Sequence, residues 1–267
     1  METMRFRLTK WYFDAVSPQG QVGVVYRVRL VIGPCTFCVS ALLRADAPGL
    51  LHETSALCTL GHLDEEPGQL VWRCPRLEFE GRWRAAASPV ERTLIAGAGG
   101  SVVWRCLMPA ADAEVAWRGE RWTGRGYVEC LDMTMAPWRL PIDELLWGRF
   151  VGPRSSIVWI RWRGEHPLTL VLDGGVEAAG AEIDDEGLGV PGRWDLRMEQ
   201  PAVLRDGTLE EVSLRPLGKL ARMIPRRIRA TCETKWLAQA VLRRSDADTP
   251  ERGWALHERV VLGEGRA

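Results

Sequence analysis

Tyr127 and Glu129 place a phenol and a carboxyl group two residues apart, inside the segment 124–150. On a β-strand, successive side chains point to opposite faces, so residues two apart share one face. A phenol and an acid could then converge on one cavity. The pair predicts acid/base chemistry, in which the carboxyl group exchanges a proton with the substrate and the phenol donates a hydrogen bond.

Asp14 and His257 are the other candidate catalytic residues. Burial disfavours the charged form of a carboxyl group, so Asp14 or Glu129 in an apolar barrel could protonate an alkene or polarise a carbonyl. His257 and Glu258 are neighbours on a predicted strand, so only one of them can face a pocket, and His257 is favoured. Each candidate also has a structural alternative, such as pairing with an arginine, turn formation or local hydrogen bonding.

Tryptophan is unusually abundant, with 13 residues against three tyrosines and five phenylalanines. Core packing is one explanation, because large aromatic side chains dominate core burial. The alternative is an apolar pocket whose indole faces bind a long unsaturated ligand and stabilise a carbocation. The candidate substrate-binding residues are Trp11, Trp104, Trp122, Trp138, Trp147 and Trp236.

Composition and charge exclude several classes of function. The 35 basic and 35 acidic residues give no net charge and a pI near 6.9, which argues against nucleic acid or another polyanion as partner. The first residues lack the apolar core of a secretion signal, and no apolar run approaches the ~20 residues of a membrane span. We therefore expect a cytoplasmic protein.

Metal and cofactor motifs are weak. Cys35 and Cys38 have the Cys-x-x-Cys spacing, but no second pair follows, and the seven cysteines are expected to be mostly buried thiols. The glycine-rich segment 96–100 lies between strand-like runs, so a hairpin turn explains it better than a phosphate loop. We expect chemistry without a metal or organic cofactor.

The periodicity of the chain is two far more often than 3.6, which predicts an antiparallel, all-β protein. One short helix is predicted at 142–146, after Pro141. About a dozen strands exceed the ~8 of a small ligand-holding barrel, so two domains are expected, 1–145 and 146–267. The predicted strands are 6–11, 23–32, 36–43, 56–63, 77–84, 101–107, 126–133, 156–162, 168–172, 194–200, 209–214, 227–242 and 254–262.

Two short motifs stand out, Trp-Tyr-Phe-Asp-Ala-Val-Ser-Pro-Gln-Gly at 11–20 and Gly-Tyr-Val-Glu at 126–129. The first resembles the N-terminal signature of hydroxyneurosporene synthase, the carotenoid 1,2-hydratase, and the second resembles that family's Gly-Tyr-x-Asp element. The tail segments 233–237 and 253–258 add to the resemblance. It implies two lipocalin-like β-barrel halves, in a superfamily that also includes fungal cyclases.

The resemblance carries the hydratase's functional tyrosine and aspartate onto Tyr127 and Glu129, and its early aspartate onto Asp14. The chain departs from the hydratase after the acid, where Leu131, Asp132 and Met133 replace Asn-Trp-Gly. This departure favours a relative with another substrate, and cyclisation or isomerisation over hydration.

Three functions remain open on the sequence. The first is a cofactor-independent enzyme acting on a polyene, isoprenoid or polyketide-like substrate; the second is a lipocalin-like carrier of a hydrophobic small molecule; the third is an interaction protein with filled barrels. The basic segment 219–229 could make weak peripheral membrane contact or serve as a solvated connector. Exposed barrel edges would favour a homodimer.

Overall fold

A computed structural model describes residues 5–46, 50–184 and 186–263 of the chain. The chain divides into two compact units, residues 1–140 and 141–267. The boundary that the sequence predicts, at residue 145, lies inside a strand of the second unit, Glu144–Val151. Among the described residues, no helix is long and apolar enough to cross a membrane.

The first unit is a curled antiparallel sheet of ten strands in the described residues. Its strand order is β4-β3-β2-β1-β10-β9-β7-β6-β5, and β8 also pairs with β9. The strands are β1 (Phe6–Val16), β2 (Val22–Ile32), β3 (Cys35–Asp46), β4 (Leu50–Leu57), β5 (His62–Glu66), β6 (Gln69–Cys74), β7 (Phe79–Ala85), β8 (Val90–Gly97), β9 (Gly100–Trp117) and β10 (Glu120–Met133). Short 3₁₀ turns occupy Pro75–Leu77 and Pro137–Arg139.

The second unit is a curled antiparallel sheet of nine strands in the described residues, in the order β14-β13-β12-β11-β19-β18-β17-β16-β15. The strands are β11 (Glu144–Val151), β12 (Ser156–Arg163), β13 (Leu168–Asp173), β14 (Val176–Glu177), β15 (Glu182–Ile183), β16 (Gly187–Val190), β17 (Trp194–Thr208), β18 (Cys232–Arg244) and β19 (Glu251–Val261). Between β17 and β18 lie α1 (Leu209–Val212), the 3₁₀ segment Arg215–Met223 and α2 (Arg226–Arg229).

The two sheets share a topology. In each unit the first strand lies in the middle of the sheet, between the second strand and the last, as β1 lies between β2 and β10 and β11 between β12 and β19. The described chain is therefore an all-β protein of the two-barrel, lipocalin-like type, as predicted.

Each unit has its own apolar core. In the first unit, Phe13 stacks on Trp72 and packs against Trp83, and all three are at most 1% exposed. In the second unit, Phe150 and Trp159 pack among aliphatic residues of β12, β16, β17 and β18. Burial of such large aromatic side chains stabilises each sheet, at roughly 2 to 3 kcal/mol for a side chain of phenylalanine size.

Several sequence predictions of local structure are wrong. The predicted helix 142–146 is largely strand β11, because hydrogen bonding to β12 and β19 on both sides overrides the helix signal of Pro141. The predicted strand 209–214 is largely helix α1, capped by a Thr208–Glu211 capping box. The predicted strand 56–63 is interrupted by a turn at 58–61, and residues 227–229 are helical.

The prediction of a hairpin turn at 96–100 is confirmed. The glycine-rich segment 96–100 is the hairpin turn between β8 and β9, with Gly100 at a φ of 115°. In the basic segment 219–229, Arg229 forms an ion pair with Glu210 at 2.8 Å, and Arg227 donates to the backbone of Ile142. The side chain of Lys219 lies outside the described part of the chain.

Candidate active site

Glu129 is the centre of a hydrogen-bonded cluster in the first unit. Its Oε2 atom accepts hydrogen bonds from the Tyr127 hydroxyl at 2.7 Å and from the Trp104 indole N–H at 2.6 Å. Glu129 is 7% exposed, and both donors are at most 2% exposed. The predicted convergence of Tyr127 and Glu129 is confirmed, and Trp104, predicted as a substrate-binding residue, is a hydrogen-bond donor to the acid.

Tyr127 is held in its neutral form. Burial raises the pKa of its hydroxyl well above the usual value, and neighbouring Cys106 and Glu129 raise it further. Burial likewise raises the pKa of the Cys106 thiol, which lies opposite Glu129 in the β9–β10 pairing. The phenol therefore keeps its proton at neutral pH and can donate a hydrogen bond to Glu129.

The cluster lies on one face of the sheet, and the apolar core lies on the other. Asp14 pairs with Tyr127 across β1 and β10, and Tyr12 pairs with Glu129. The alternate residues Phe13 and Val128, which also pair, belong to the core cluster. The period of two thus separates the polar groups of these strands from the core.

The three tyrosines of the chain are linked by ring contacts, and one of them, Tyr127, donates to the acid. The Tyr12 ring packs edge-on against Tyr26 at 5.5 Å and against Tyr127 at 6.0 Å between centroids. The ammonium group of Lys10 lies over the Tyr26 ring at 5.3 Å. Edge-to-face pairs contribute about 1 kcal/mol each beyond area burial, so they fix the ring positions around Glu129.

Gly126 explains how β1 and β10 approach so closely beside the site. A Cβ atom on this glycine would lie 2.5 Å from the backbone oxygen of Asp14 and 2.9 Å from the Trp83 ring. The Trp83 indole donates to that same Asp14 oxygen at 2.7 Å. Register shifts on either side of Val128 complete the local irregularity that places Tyr127 and Glu129.

The geometry limits where a proton on Glu129 can be. Oε2 already accepts two donors, so the proton of a neutral Glu129 would be carried by Oε1. The Tyr127 and Trp104 donors remain satisfied in both protonation states. Glu129 can therefore act as a general acid or base without rearrangement of these two contacts.

His257 lies in the second unit, on β19. Its ring stacks on Trp236 at 4.9 Å between centroids, with 18° between the planes. Burial, assisted by the positive charge of Lys235, lowers the pKa of His257 to about 4. Its buried Nε2 atom has no hydrogen-bond partner among the described residues. The imidazole is neutral at pH 7, so it can accept a hydrogen bond or a proton but cannot act as a protonated acid.

Glu258 points to the opposite face from His257, as predicted. It forms an ion pair with Lys235, whose side chain is completely buried. The Lys235 ammonium lies 5.5 Å from the centre of the Trp147 ring. Trp147, a predicted substrate-binding residue, therefore contacts a buried cation of the protein itself.

The remaining predicted tryptophans have packing contacts. Trp11 stacks on Phe13 at 5.8 Å within the first core, and Trp122 packs against that core and beside Gly23. Trp138 packs edge-on against Phe6 at 5.5 Å. Whether any of them also contacts a ligand stays a prediction.

An open cleft of about 460 Å³ lies on the second unit, beside β15, β16, β17 and the end of β18. Arg197 lines this cleft and forms ion pairs with Asp184 at 2.8 Å and with Asp195 at 3.0 Å. Trp194 is the aromatic residue in the lining of this cleft. This charged cleft differs from the tryptophan-lined pocket that the sequence predicted.

Sequence reasoning missed Tyr12, Tyr26 and Cys106. A signal existed for Tyr12, because it lies two residues before Asp14 and must share its face on a strand. Tyr26 and Cys106 enter through the pairing of β2 and β9 with their neighbours, which the sequence does not reveal. Among the described residues, no group of three or more His, Cys, Asp or Glu is placed to hold a metal ion.

The fold and this cluster define a lipocalin-like protein of two β units with a buried carboxyl group beside a neutral phenol. No protein-family model matches the chain, and no curated protein matches it either. The resemblance to hydroxyneurosporene synthase therefore stays a prediction.

Solved structures share the fold across nearly the whole chain. CghA, in a complex with Sch210972, is 13% identical over 98% of this chain and 90% of its own, with a TM-score of 0.54. NE1406 from Nitrosomonas europaea is 10% identical over 95% and 92%, with a TM-score of 0.53. Kievitone hydratase from Nectria haematococca is 11% identical over 95% and 88%, with a TM-score of 0.52. At these identities the likeness establishes the fold alone.

Proposed function

We propose that the protein is a cofactor-independent enzyme that binds a hydrophobic polyene, isoprenoid or polyketide-like molecule and catalyses its acid/base-assisted cyclisation or isomerisation. The observation that carries this proposal is the buried Glu129 carboxyl group, held by the Tyr127 hydroxyl and the Trp104 indole on a single oxygen. Buried clusters of titratable groups with perturbed pKa values, as Tyr127 and Cys106 have here, are typical of functional sites.

Glu129 would act first as the acid. Transfer of its proton to one carbon of an alkene forms a C–H bond and leaves a carbocation on the neighbouring carbon. In isomerisation, loss of a proton from an adjacent carbon to the Glu129 carboxylate moves the double bond and restores the acid. In cyclisation, a second alkene attacks the cation before that proton is lost. The surrounding aromatic rings would stabilise the developing positive charge.

Tyr127 and Trp104 would act through Glu129. Both donate to the oxygen that becomes more negative when the proton leaves, so they stabilise the carboxylate during the step. Asp14 and His257 are proposed as secondary groups. Asp14 lies across from Tyr127 on the same face, and His257 offers a neutral imidazole in the other unit.

Hydration of a C=C bond is the second candidate. It is supported by the fold shared with kievitone hydratase and by the motifs at 11–20 and 126–129. Water would then attack the carbocation, and the proton it releases would return to the Glu129 carboxylate. Carriage of an unchanged ligand is the remaining alternative.

The test is turnover of a panel of polyenes, isoprenoids and polyketide-derived acceptors by wild type and by Glu129→Gln. The amide keeps an oxygen that can accept from Tyr127 and Trp104, but it cannot transfer the proton, so the rate should fall at least ~100-fold. Glu91→Gln, an exposed residue of the same sheet, is the matched control and should keep full activity.

The product distinguishes the two candidate reactions. Cyclisation or isomerisation leaves the mass of the substrate unchanged and, in deuterated water, introduces deuterium from the acid. Hydration adds one water and introduces its oxygen, which labelled water would reveal. Full activity in a folded Glu129→Gln variant would refute the assignment of Glu129.

A further inference from the structure

Cys38 lies inside β3, and Cys58 lies opposite it, one residue beyond the end of β4. The pairing of these strands runs from Asp46 and Leu50 to Val39 and Leu57, and the next opposed positions are the two cysteines. The Cys58 N–H donates to the Cys38 carbonyl oxygen at 2.8 Å. Both are free thiols. The two strands thus bring together cysteines that are 20 residues apart in the sequence.

The spacing of opposed residues suits a disulfide. Directly opposite residues that share a backbone hydrogen bond have Cα atoms about 5.5 Å apart in an antiparallel pair. Disulfides join Cα atoms about 4.4 to 6.8 Å apart, most often near 5.5 to 6 Å. The backbone hydrogen bond between Cys38 and Cys58 is therefore compatible with the Cα spacing of a disulfide.

The turn that carries Cys58 is held beside β3. The Leu60 carbonyl accepts hydrogen bonds from the Arg27 side chain at 3.1 Å and from the Trp72 indole at 2.8 Å. The Ser40 hydroxyl, on β3, donates to the carbonyl of Thr59. Cys58 itself has a φ of 58°, a left-handed conformation that residues with a Cβ atom adopt rarely. Its side chain is exposed, and that of Cys38 is half-buried, so a small oxidant can reach the pair.

Cys35, the other cysteine of the Cys-x-x-Cys motif, is not placed to form a disulfide with Cys38. Cys35 and Cys38 lie three residues apart on the same strand, so their side chains point to opposite faces. Three residues of strand also separate them by about 10 Å. Cys74, Cys106 and Cys130 are buried.

We propose that Cys38 and Cys58 are a redox pair that a low-molecular-weight disulfide, such as glutathione disulfide, converts into an intramolecular bond. The exposed Cys58 thiolate attacks the oxidant, forms a mixed disulfide and releases one thiolate. The Cys38 thiolate then attacks the Cys58 sulfur and releases the second. Two protein thiols are oxidised, two small thiols are formed, and the two protons end on those thiols.

The bond would fasten the 58–61 turn to β3. It would close a loop of about 20 residues, and such closures stabilise mainly by restricting the unfolded chain. The proposal is independent of the chemistry assigned to Glu129, because it concerns β3 and the turn after the edge strand β4, whereas Glu129 lies on the central strand β10.

The test is incubation of the full chain with glutathione disulfide, followed by intact mass measurement and peptide mapping. Wild type should lose the mass of two hydrogen atoms and yield a crosslinked pair of peptides containing Cys38 and Cys58. Cys38→Ser should stop at the mixed disulfide and keep one glutathione on Cys58. Cys58→Ser should give no crosslink at Cys38.

Cys35→Ser and Cys232→Ser are the controls, and both should form the same crosslink as wild type. Circular dichroism of each variant confirms that it is folded. A crosslink that joins Cys35 to either residue would overturn the proposal. So would a folded wild type in which Cys58 keeps its glutathione while Cys38 remains a thiol.

Discussion

In each unit a glutamate side chain lies largely away from solvent, Glu129 at 7% exposure and Glu258 at 11%, but the two carboxylates are held by different kinds of donor. In the first unit, the phenol of Tyr127 and the indole of Trp104 donate to Glu129. In the second unit, the ammonium group of the fully buried Lys235 pairs with Glu258. On the proposed function, the chemistry of the donors, and not burial alone, distinguishes the proton-transferring Glu129 from Glu258.

The difference predicts different consequences for the same substitution. Neutral donors still find an acceptor oxygen when glutamate becomes glutamine, so the local structure is preserved while the proton is lost. A buried ammonium group that loses its carboxylate keeps a charge that burial penalises. The first glutamate is expected to determine activity, and the second stability.

The largest effect on stability is expected for Glu258→Gln. Removing one partner of a buried ion pair costs about 3 to 5 kcal/mol, because the other charge stays buried. Glu129→Gln is the matched comparison and should cost less than about 1 kcal/mol. Urea unfolding of both variants measures the two values. Equal losses would show that the donors do not distinguish the two sites.

Acid should destabilise the second unit through His257. Its pKa is about 4 in the folded chain against an ordinary 6.5, so between these values the unfolded chain takes up a proton that the folded chain does not. This contribution to the free energy of unfolding is intact above pH 6.5 and falls by about 3 kcal/mol on acidification to pH 4.

The check is a pair of unfolding curves at pH 7 and pH 4 for wild type and His257→Phe, which keeps an aromatic ring against Trp236 but cannot titrate. The variant should lose about 3 kcal/mol less stability than wild type. His62→Gln, at an exposed histidine, is the control. An identical acid loss in His257→Phe and wild type would contradict the assignment.

Gly126→Ala tests the close approach that positions the first site. The new Cβ atom would meet the Asp14 carbonyl and the Trp83 ring at distances below normal contact, so we expect a loss of about 1 to 3 kcal/mol. Gly97→Ala is the control, because nothing lies within 4 Å of the corresponding Cβ position. Similar stability of the two variants in thermal unfolding would show that Gly126 is not required by packing.

The smallest expected effect is that of Tyr127→Phe. It removes the hydrogen bond from the Tyr127 hydroxyl to Glu129 and should cost about 1 kcal/mol in stability. Its rate should fall about tenfold, equivalent to about 1.4 kcal/mol in the barrier. A rate equal to that of wild type would limit the role of Tyr127 to packing.

The sequence predicted the fold class because period-two alternation is a local signal. It failed where pairing decides, as in β11, whose two neighbours hold it as a strand after Pro141. It also failed at α1, although the Thr208–Glu211 capping box was visible in the sequence. Period-two alternation identifies strands along the chain, but it does not reveal helix capping or the pairing of strands.

Strand periodicity also predicted one part of the candidate site. Tyr127 and Glu129 are two residues apart on one strand, so their shared face follows from periodicity alone. The contact of Trp104 with Glu129 depends on the β9–β10 register and on its irregularities near Val128. A shift of one residue would have turned Trp104 to the other face, and no local signal in the sequence sets that register.

The central claim is that Glu129 changes a bound apolar molecule, and the most direct measurement is native mass spectrometry of wild type and Glu129→Gln purified in parallel from the same host. Extraction of each sample identifies what the protein holds. The proposed function predicts that the variant retains a precursor that wild type converts into a cyclised, isomerised or hydrated product. The same unchanged molecule in both folded proteins would contradict it and identify a carrier.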